Sequence, residues 1–338
     1  MNAPKVSVVL PVYNGALYLR AAVESILSQT FGDFECIIID DGSRDESYAV
    51  AAAIDDPRIR LLRQENTGLA ATLNRGISLA RGPYIARQDQ DDLSDPCRLE
   101  RQVAFMDAHP DCVLLGTRAI ITVDDAPTGR FHDHPVDTAI LRLDLLFNNP
   151  FVHSSVMLRR DMVLAAGGYT TDPDRQPPED YELWSRLARR HAVANLPERL
   201  VHYREVSGSM SRAGANPFLD KLLRISAENI ALAAGLADVP RPAADAAALI
   251  HAAPSRLSPQ ANITAILKLV RRAAGGIDPD RRNPALWAKL EWYCDNLAHH
   301  YVRATGRPAP PGRGAWAVFW RRALSRKTWR RLLGLAPQ

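Results

Sequence analysis

Three carboxylates fall within four residues at Asp89-Gln90-Asp91-Asp92. Ionised side chains held that close repel one another unless water or a shared cation separates them. Mg²⁺ and Mn²⁺ take oxygen ligands. Mg²⁺ needs only one or two carboxylates, because water and a substrate phosphate complete its shell. The same run also suits a solvated acidic turn, with Asp95 capping the helix that follows Pro96. A second acidic run is Asp40-Asp41-Gly42-Ser43. A carboxylate there could accept hydrogen bonds from a nucleobase N–H or from ribose hydroxyls, with Gly42 turning the backbone close to the ligand. It could equally be an Asp-Gly turn. Pro177-Pro178-Glu179-Asp180 opens a periodic apolar run. Acids at such a place complement the helix dipole, and Asp180 could also serve as a general base. His153 stands in an apolar stretch, where a lone His is more often a satisfied core residue than a ligand. Tyr13 is either core or an aromatic face for a nucleobase.

Distant acids can act together only if the fold gathers them. Lys5–Leu10, Cys36–Ile39, Ile59–Leu62 and Tyr84–Ala86 are short, apolar and β-branched, the pattern of buried parallel strands. Between them run helical patterns from Leu17 to about Gln29, Asp45–Ile54 and Leu69–Ala80, with Asn14 as an N-cap and Gly82 closing the last. The alternation predicts an α/β fold: a Rossmann-like, mostly parallel sheet with helices on both faces. Ligands of such sheets bind at the strands' carboxyl ends, where both acidic runs fall. Val113–Gly116, Ala119–Val123 and Val152–Arg159 read as further strands, and Pro178–Arg190 as a helix. A polar connector from Ser207 to Pro217 precedes Ala/Leu-rich helices at Phe218–Gly235, Ala243–Ala252, Asn262–Ala274 and Ala285–Thr305. The expected division is a sheet domain over residues 1–212, a helical region over 213–306, and a Pro-rich linker with a basic terminal helix over 307–338.

The chain has 338 residues, 46% hydrophobic and 24% charged, which excludes wholesale disorder and collagen-like repetition. No apolar run reaches the roughly 18 residues of a membrane span. The opening run reads as a first strand rather than a signal peptide. The four cysteines, Cys36, Cys97, Cys112 and Cys294, are scattered without a C-x-x-C. That pattern suits a reducing cytoplasm and argues against a zinc ribbon. Of the net charge of +4, Gly312 to Gln338 supplies seven Lys/Arg and no acid, leaving −3 for the rest. The basic character is therefore a tail, and no nucleic-acid partner is implied. Trp316, Phe319, Trp320, Ala323 and Leu324 share one helical face. A basic amphipathic helix of that kind can lie on an anionic membrane or dock on its own protein.

In order from residue 6 to residue 204, these runs resemble the family 2 glycosyltransferases of the GT-A fold. The resemblance rests on Val6-Ser-Val-Val-Leu-Pro-Val-Tyr-Asn14, Ile39-Asp-Asp-Gly-Ser43, Asn66-Thr-Gly-Leu-Ala70 and Leu73-Asn-Arg-Gly76. It continues through Ala86-Arg-Gln-Asp-Gln-Asp-Asp92, Asn149-Pro, His153-Ser-Ser-Val-Met157, Gly168-Tyr169, Glu179-Asp-Tyr-Glu-Leu-Trp184 and Tyr203-Arg204. It implies an enzyme that transfers a sugar from a nucleotide-diphosphate donor, a UDP-sugar first among them, with inversion and with Mn²⁺ or Mg²⁺. By resemblance Pro11, Tyr13 and Asp41 hold the nucleobase side. Asp89 meets ribose or the metal shell, Asp91 ligates the cation, and Asp180 activates the acceptor. Asp40, Asp92, Glu179 and His153 are secondary candidates beside these. The acceptor implied is a glycan or a lipid-linked glycan of the cell surface, reached from the cytoplasm, with the tail as a peripheral contact on the inner face of the membrane. One departure stands out: Val206 occupies the place where many members carry a metal-binding His.

Two other classes share these features. A nucleotidyltransferase also sets Asp residues and Mg²⁺ beside a nucleotide, but usually brings a basic phosphate loop after the first strand. Pro11-Val-Tyr-Asn-Gly15 has no such basic residue. A non-catalytic nucleotide-sugar-binding protein fits Val206 but leaves Asp91 and Asp180 without a purpose.

Overall fold

The structure is a computed structural model and describes residues 3–123, 126–206 and 217–309. The basic terminal helix expected over 312–338 lies outside the described residues. The chain divides into two compact units, Met1–Lys221 and Leu222–Gln338, a few residues beyond the boundary expected at 212.

In the first unit, strands β1 (Val6–Val12), β2 (Phe34–Asp41), β3 (Ile59–Gln64) and β4 (Tyr84–Arg87) pair in parallel in the order β3-β2-β1-β4. Every residue of β1 and β2 is buried, as expected for strands covered on both faces. Val6, Val8, Leu10 and Val12 pack with Leu19, Val23 and Ile26 of α1 (Ala16–Leu27) and with Leu99, Val103 and Met106 of α4 (Arg98–Ala108). The opposite face meets α3 (Leu69–Leu79). There Gly76 lies so close to Val9 that a Cβ would sit 2.4 Å from its Cγ1.

Beyond β4 the sheet becomes mixed, running on through β8 (Met157–Arg159), β6 (Cys112–Val123), β9 (Ala192–Arg204) and β5 (Leu93–Ser94). β8 pairs antiparallel with β4 and β6, while β6 and β9 run parallel. β7 (Ala126–His132) adds to β6, giving nine strands among the described residues.

Several local expectations change. Val113–Gly116 and Ala119–Val123 belong to one long strand with shifts of register. Val152–Arg159 is not one strand: His153–Ser155 form a tight helical turn before β8. Gly82 does not close α3. The helix ends at Ala80, and Gly82 instead lets the chain pass β1, where a Cβ would sit 2.8 Å from the Ser7 nitrogen. Asn14 does not cap α1. It adopts a left-handed φ of 51° and Gly15 takes the cap position.

In the second unit, α9 (Arg241–Ile250), α10 (Ile263–Ile277) and α11 (Pro284–Thr305) pack together. Asn262 and Asn283 accept from Ala265 N and Leu286 N at the starts of α10 and α11, and Gly306 closes α11 in the left-handed conformation. No helix among the described residues is long and apolar enough to cross a membrane.

Candidate active site

The chain leaves the carboxyl end of β4 through Arg87 and Gln88 into the acid turn 89–92. Arg87 is a cation in the core: its side chain is 2% exposed and its Nη1 lies 2.6 Å from Asp89 Oδ1. A second buried arginine, Arg98, props the turn from below. It donates to the Arg87 carbonyl (2.6 Å), to Gln88 Oε1 (2.9 Å) and to Ser94 Oγ (2.7 Å). Gln88 in turn donates to the carbonyls of Asp89 (3.1 Å) and Asp92 (2.7 Å).

The three acids of the turn differ in their partners. Asp89 faces Arg87. Asp92 is buried; it accepts from Ser154 Oγ and, at 2.8 Å, from the backbone N–H of Arg204. It therefore ties the turn to the end of β9 and to the 153–155 turn. Burial and the charges of Asp89 and Asp91 push its carboxyl well above the usual carboxylate range. Asp91 is half-buried, and its own backbone N–H is the donor that bears on its carboxylate. Burial, then the charge of Asp89, raise it to about 6.

Gln90 was not singled out by its type, yet its amide grips Tyr13 twice. Tyr13 N–H donates to Oε1 (2.8 Å), and Nε2 donates to the Tyr13 carbonyl (3.1 Å). The Tyr13 ring stands 44% exposed beside the turn, whereas Pro11 is buried within β1, opposite Ile39.

At the end of β2, Asp41 is buried with its carboxylate already engaged. Oδ1 accepts from Gln64 Nε2 (2.6 Å), Thr67 N (2.9 Å) and Thr67 Oγ1 (3.2 Å), and Oδ2 accepts from Gly68 N (2.9 Å). It shapes the 66–68 turn that starts α3. Asp40 accepts from Ser43 N (3.2 Å) and pairs with Arg63 Nε at 3.1 Å.

Glu179 and Asp180 open α7 (Glu179–Ala188). Asp180 is half-buried and accepts from Asn149 Nδ2 (2.7 Å) and from Tyr181 N (2.7 Å). Burial raises its pKa against those donors; Arg87 lowers it and Asp89 raises it. Arg87, which pairs with Asp89, thus also lowers the acid of α7. Glu179 is 6% exposed; burial, then the charge of Asp180, raise it to about 7. His153 sits among aromatics, with Nε2 3.0 Å from Tyr169 Oη and its ring edge-on to Trp184. Burial and the Arg87 charge depress its pKa well below the ordinary range, so it is neutral.

The donor set fits a divalent cation in an open shell. Asp91 offers a half-buried carboxylate engaged by its own backbone N–H, and its ionised form is disfavoured by burial and by like charge. A cation beside it would relieve both penalties. No three His, Cys, Asp or Glu side chains among the described residues form a closed cage. Val206 follows β9 and offers no ligand atom.

Arg87, Gln90, Asn149, Ser154 and Arg204 complete the site. All five stand in runs that carry the family resemblance, but their roles were not readable there; Arg87 alone bore a further sign, a charge at the end of an otherwise apolar strand. The others act through backbone carbonyls, amides or single acids that no spacing rule connects.

A family model described as Glycosyl transferase family 2 matches residues 7–168. The chain is 35% identical over 230 residues to EpsE of Bacillus subtilis (strain 168), named as a glycosyltransferase, covering 66% of this chain and 81% of that protein. It is 33% identical over 212 residues to the amylovoran biosynthesis glycosyltransferase AmsE of Erwinia amylovora, covering 61% and 78%. Residues 1–349 of S. aureus TarS, solved with UDP-GlcNAc, share the fold at a TM-score of 0.60 and 16% identity, over 90% of this chain and 92% of that one. The mannosyltransferase PcManGT of Pyrobaculum calidifontis, solved with GDP-Man and Mn²⁺, does so at 0.53 and 16%, over 98% and 84%. With this fold, these acids at the strand ends and relatives matched over most of their length, the chain belongs to glycosyltransferase family 2.

Proposed function

We propose that the protein moves a sugar from a nucleoside diphosphate sugar to an acceptor hydroxyl in one inverting displacement. A divalent cation, when bound, supplies positive charge for the departing diphosphate. Asp91 would hold it, and Asp89, fixed by Arg87, would face the ribose side. Tyr13, with the backbone about Pro11, and the turn anchored by Asp41 would frame the base. The acceptor oxygen attacks the anomeric carbon as the bond to the diphosphate oxygen breaks. Asp180 accepts the hydroxyl proton as that bond forms. The Asn149 amide keeps its other oxygen engaged, which aims the free lone pairs.

The observation that carries this reading is that one segment, residues 149–154, holds both acidic elements: Asn149 donates to Asp180 of α7, and Ser154 donates to Asp92 of the acid turn. UDP- and GDP-sugars are the donors to try first, on the strength of the nucleotides bound by the TarS and PcManGT structures. The name of AmsE points to polysaccharide synthesis. Glycan or lipid-linked acceptors follow from that, with the cytoplasm and the inner membrane surface as the expected place.

The test is incubation with UDP- and GDP-sugars, Mn²⁺ and glycan acceptors. Release of UDP or GDP that depends on acceptor, with a product of inverted anomeric configuration by NMR, supports the reading. Release of pyrophosphate would replace it with nucleotidyl transfer. Binding without turnover would replace it with a non-catalytic receptor.

A further inference from the structure

The turn at residues 13–16 joins two parts of the site. On one side it is fastened to the segment after β2. Asn14 N donates to Ser43 Oγ (3.0 Å), Asn14 Oδ1 accepts from Arg44 N (2.9 Å), Gly15 N donates to Ser47 Oγ (2.8 Å), and Ala16 N donates to Asp45 Oδ2 (3.1 Å). On the other side it meets the acid turn. Among the described residues, the hydrogen bonds that make this second link are the two between Gln90 and Tyr13. They use both polar atoms of one amide and both polar groups of one residue's backbone. Together they fix the distance between Tyr13 and the acid turn and the orientation of that backbone. Gly15 leaves room for this: a Cβ there would sit 2.3–2.8 Å from the Gln90 amide atoms. Asp89 and Asp91 flank the clamp directly in sequence.

We propose that Gln90 is a positioning residue that couples the nucleobase subsite at Tyr13 to the diphosphate and cation subsite at Asp89 and Asp91. The proposal rests on the donor reading above. A nucleotide that touches both subsites binds tightly only if their spacing is preset. The second contact is then an intramolecular event at high effective concentration. Breaking the clamp leaves each contact intact but removes the presetting. Fragments that reach only one subsite are unaffected.

The experiment titrates Mn²⁺ alone, a nucleoside alone, and the nucleoside diphosphate with Mn²⁺. Uridine with UDP and guanosine with GDP are run in parallel, by NMR and calorimetry. Wild type is compared with Gln90→Ala and Gly15→Ala. The second variant displaces the amide through its new methyl while deleting no polar group of the acid turn. Its backbone φ of −115° suits any residue. Both variants are expected to bind the diphosphate with Mn²⁺ at least about fivefold more weakly, with both fragments within about twofold of wild type. Unchanged diphosphate binding in both variants overturns the proposal. So does an equal loss of nucleoside or of Mn²⁺ alone, which would mean direct contact or general damage. So does a loss in Gln90→Ala that Gly15→Ala fails to reproduce. A wild type that binds neither UDP nor GDP with Mn²⁺ sinks the donor reading and the coupling with it. Tight wild-type binding with unaffected variants sinks the coupling alone.

Discussion

The side-chain amide of Asn149 donates to Oδ2 of Asp180 at 2.7 Å, while the N–H of Tyr181 takes Oδ1. Both donors favour the ionised carboxylate, and burial opposes them with greater effect. An acid held above its ordinary pKa yet still aimed by neutral donors is suited to take a proton from an alcohol. Asp180→Asn is therefore expected to lower kcat by about 10²–10⁴-fold. Calorimetry should find nucleoside diphosphate affinity nearly unchanged. Asn149→Ala removes a donor to the charged form, so the acidic limb of its pH–rate profile should move to higher pH. A variant Asp180→Asn with wild-type kcat would take the base away from this residue.

Glu179 gives a pH dependence of stability with a definite sign. Its folded-state value, about 7, lies above the ordinary 4.5. Between those values the folded chain holds a proton that the unfolded chain has lost. Its contribution to stability therefore falls as pH rises through that window. Glu179→Gln removes the effect. In metal-free buffer, the melting temperature of the variant relative to wild type should climb as pH goes from 4.5 to 7. Each kcal/mol corresponds to about 2–4 °C in a domain of this size class. A difference that is flat across the window would show that the carboxyl titrates normally.

Arg87 is the counter-charge for the whole acid cluster. It pairs with Asp89 and lowers both Asp91 and Asp180, while its own side chain is buried. The Asp89 side chain is 31% exposed, so removing its partner costs less than breaking a fully buried pair, about 1–3 kcal/mol. Arg87→Met should lose stability of that order at neutral pH in denaturant titrations. Part of the loss should return as pH falls through about 6, where Asp91 takes up a proton. The double variant Arg87→Met/Asp89→Asn should be more stable than Arg87→Met alone. Equal stability of the two would mean that Asp89 is not the partner that matters.

The first half of the sheet was legible because β1 and β2 are buried on both faces and β3 and β4 keep short apolar runs beside their charged residues. Periodicity also found α1, α3, α7 and the helices of the second unit to within a few residues. It missed β9 and fragmented β6, because these strands mix charged and apolar residues where one face is less covered. Gly82 misled for a different reason. A glycine after a helix usually supplies a left-handed turn, and here it supplies closeness to Ser7. Within the site, the acids could be found by type and by position after a strand. Which acids the protein already engages could not. That Asp41 holds the 66–68 turn and that Asp92 is tied to Ser154 and Arg204 are facts of tertiary contact.

Such a tie separates a brace from a ligand, although Asp91 and Asp92 are neighbours. Asp91→Asn removes the carboxylate that ties no other element of the fold. The fold should survive it, with a melting temperature close to wild type or higher, because a raised acid is lost. What should vanish is the strengthening of UDP or GDP binding by Mn²⁺, measured as affinity with and without the ion. Asp92→Asn replaces the buried carboxyl that accepts from Ser154 Oγ and Arg204 N. It should cost on the order of 1–3 kcal/mol of stability. It should leave a measurable Mn²⁺ effect on nucleotide affinity in the protein that remains folded. If Asp92→Asn abolished the Mn²⁺ effect while Asp91→Asn kept it, the cation would belong to the buried acid. The assignment of ligand and brace would then have to be exchanged.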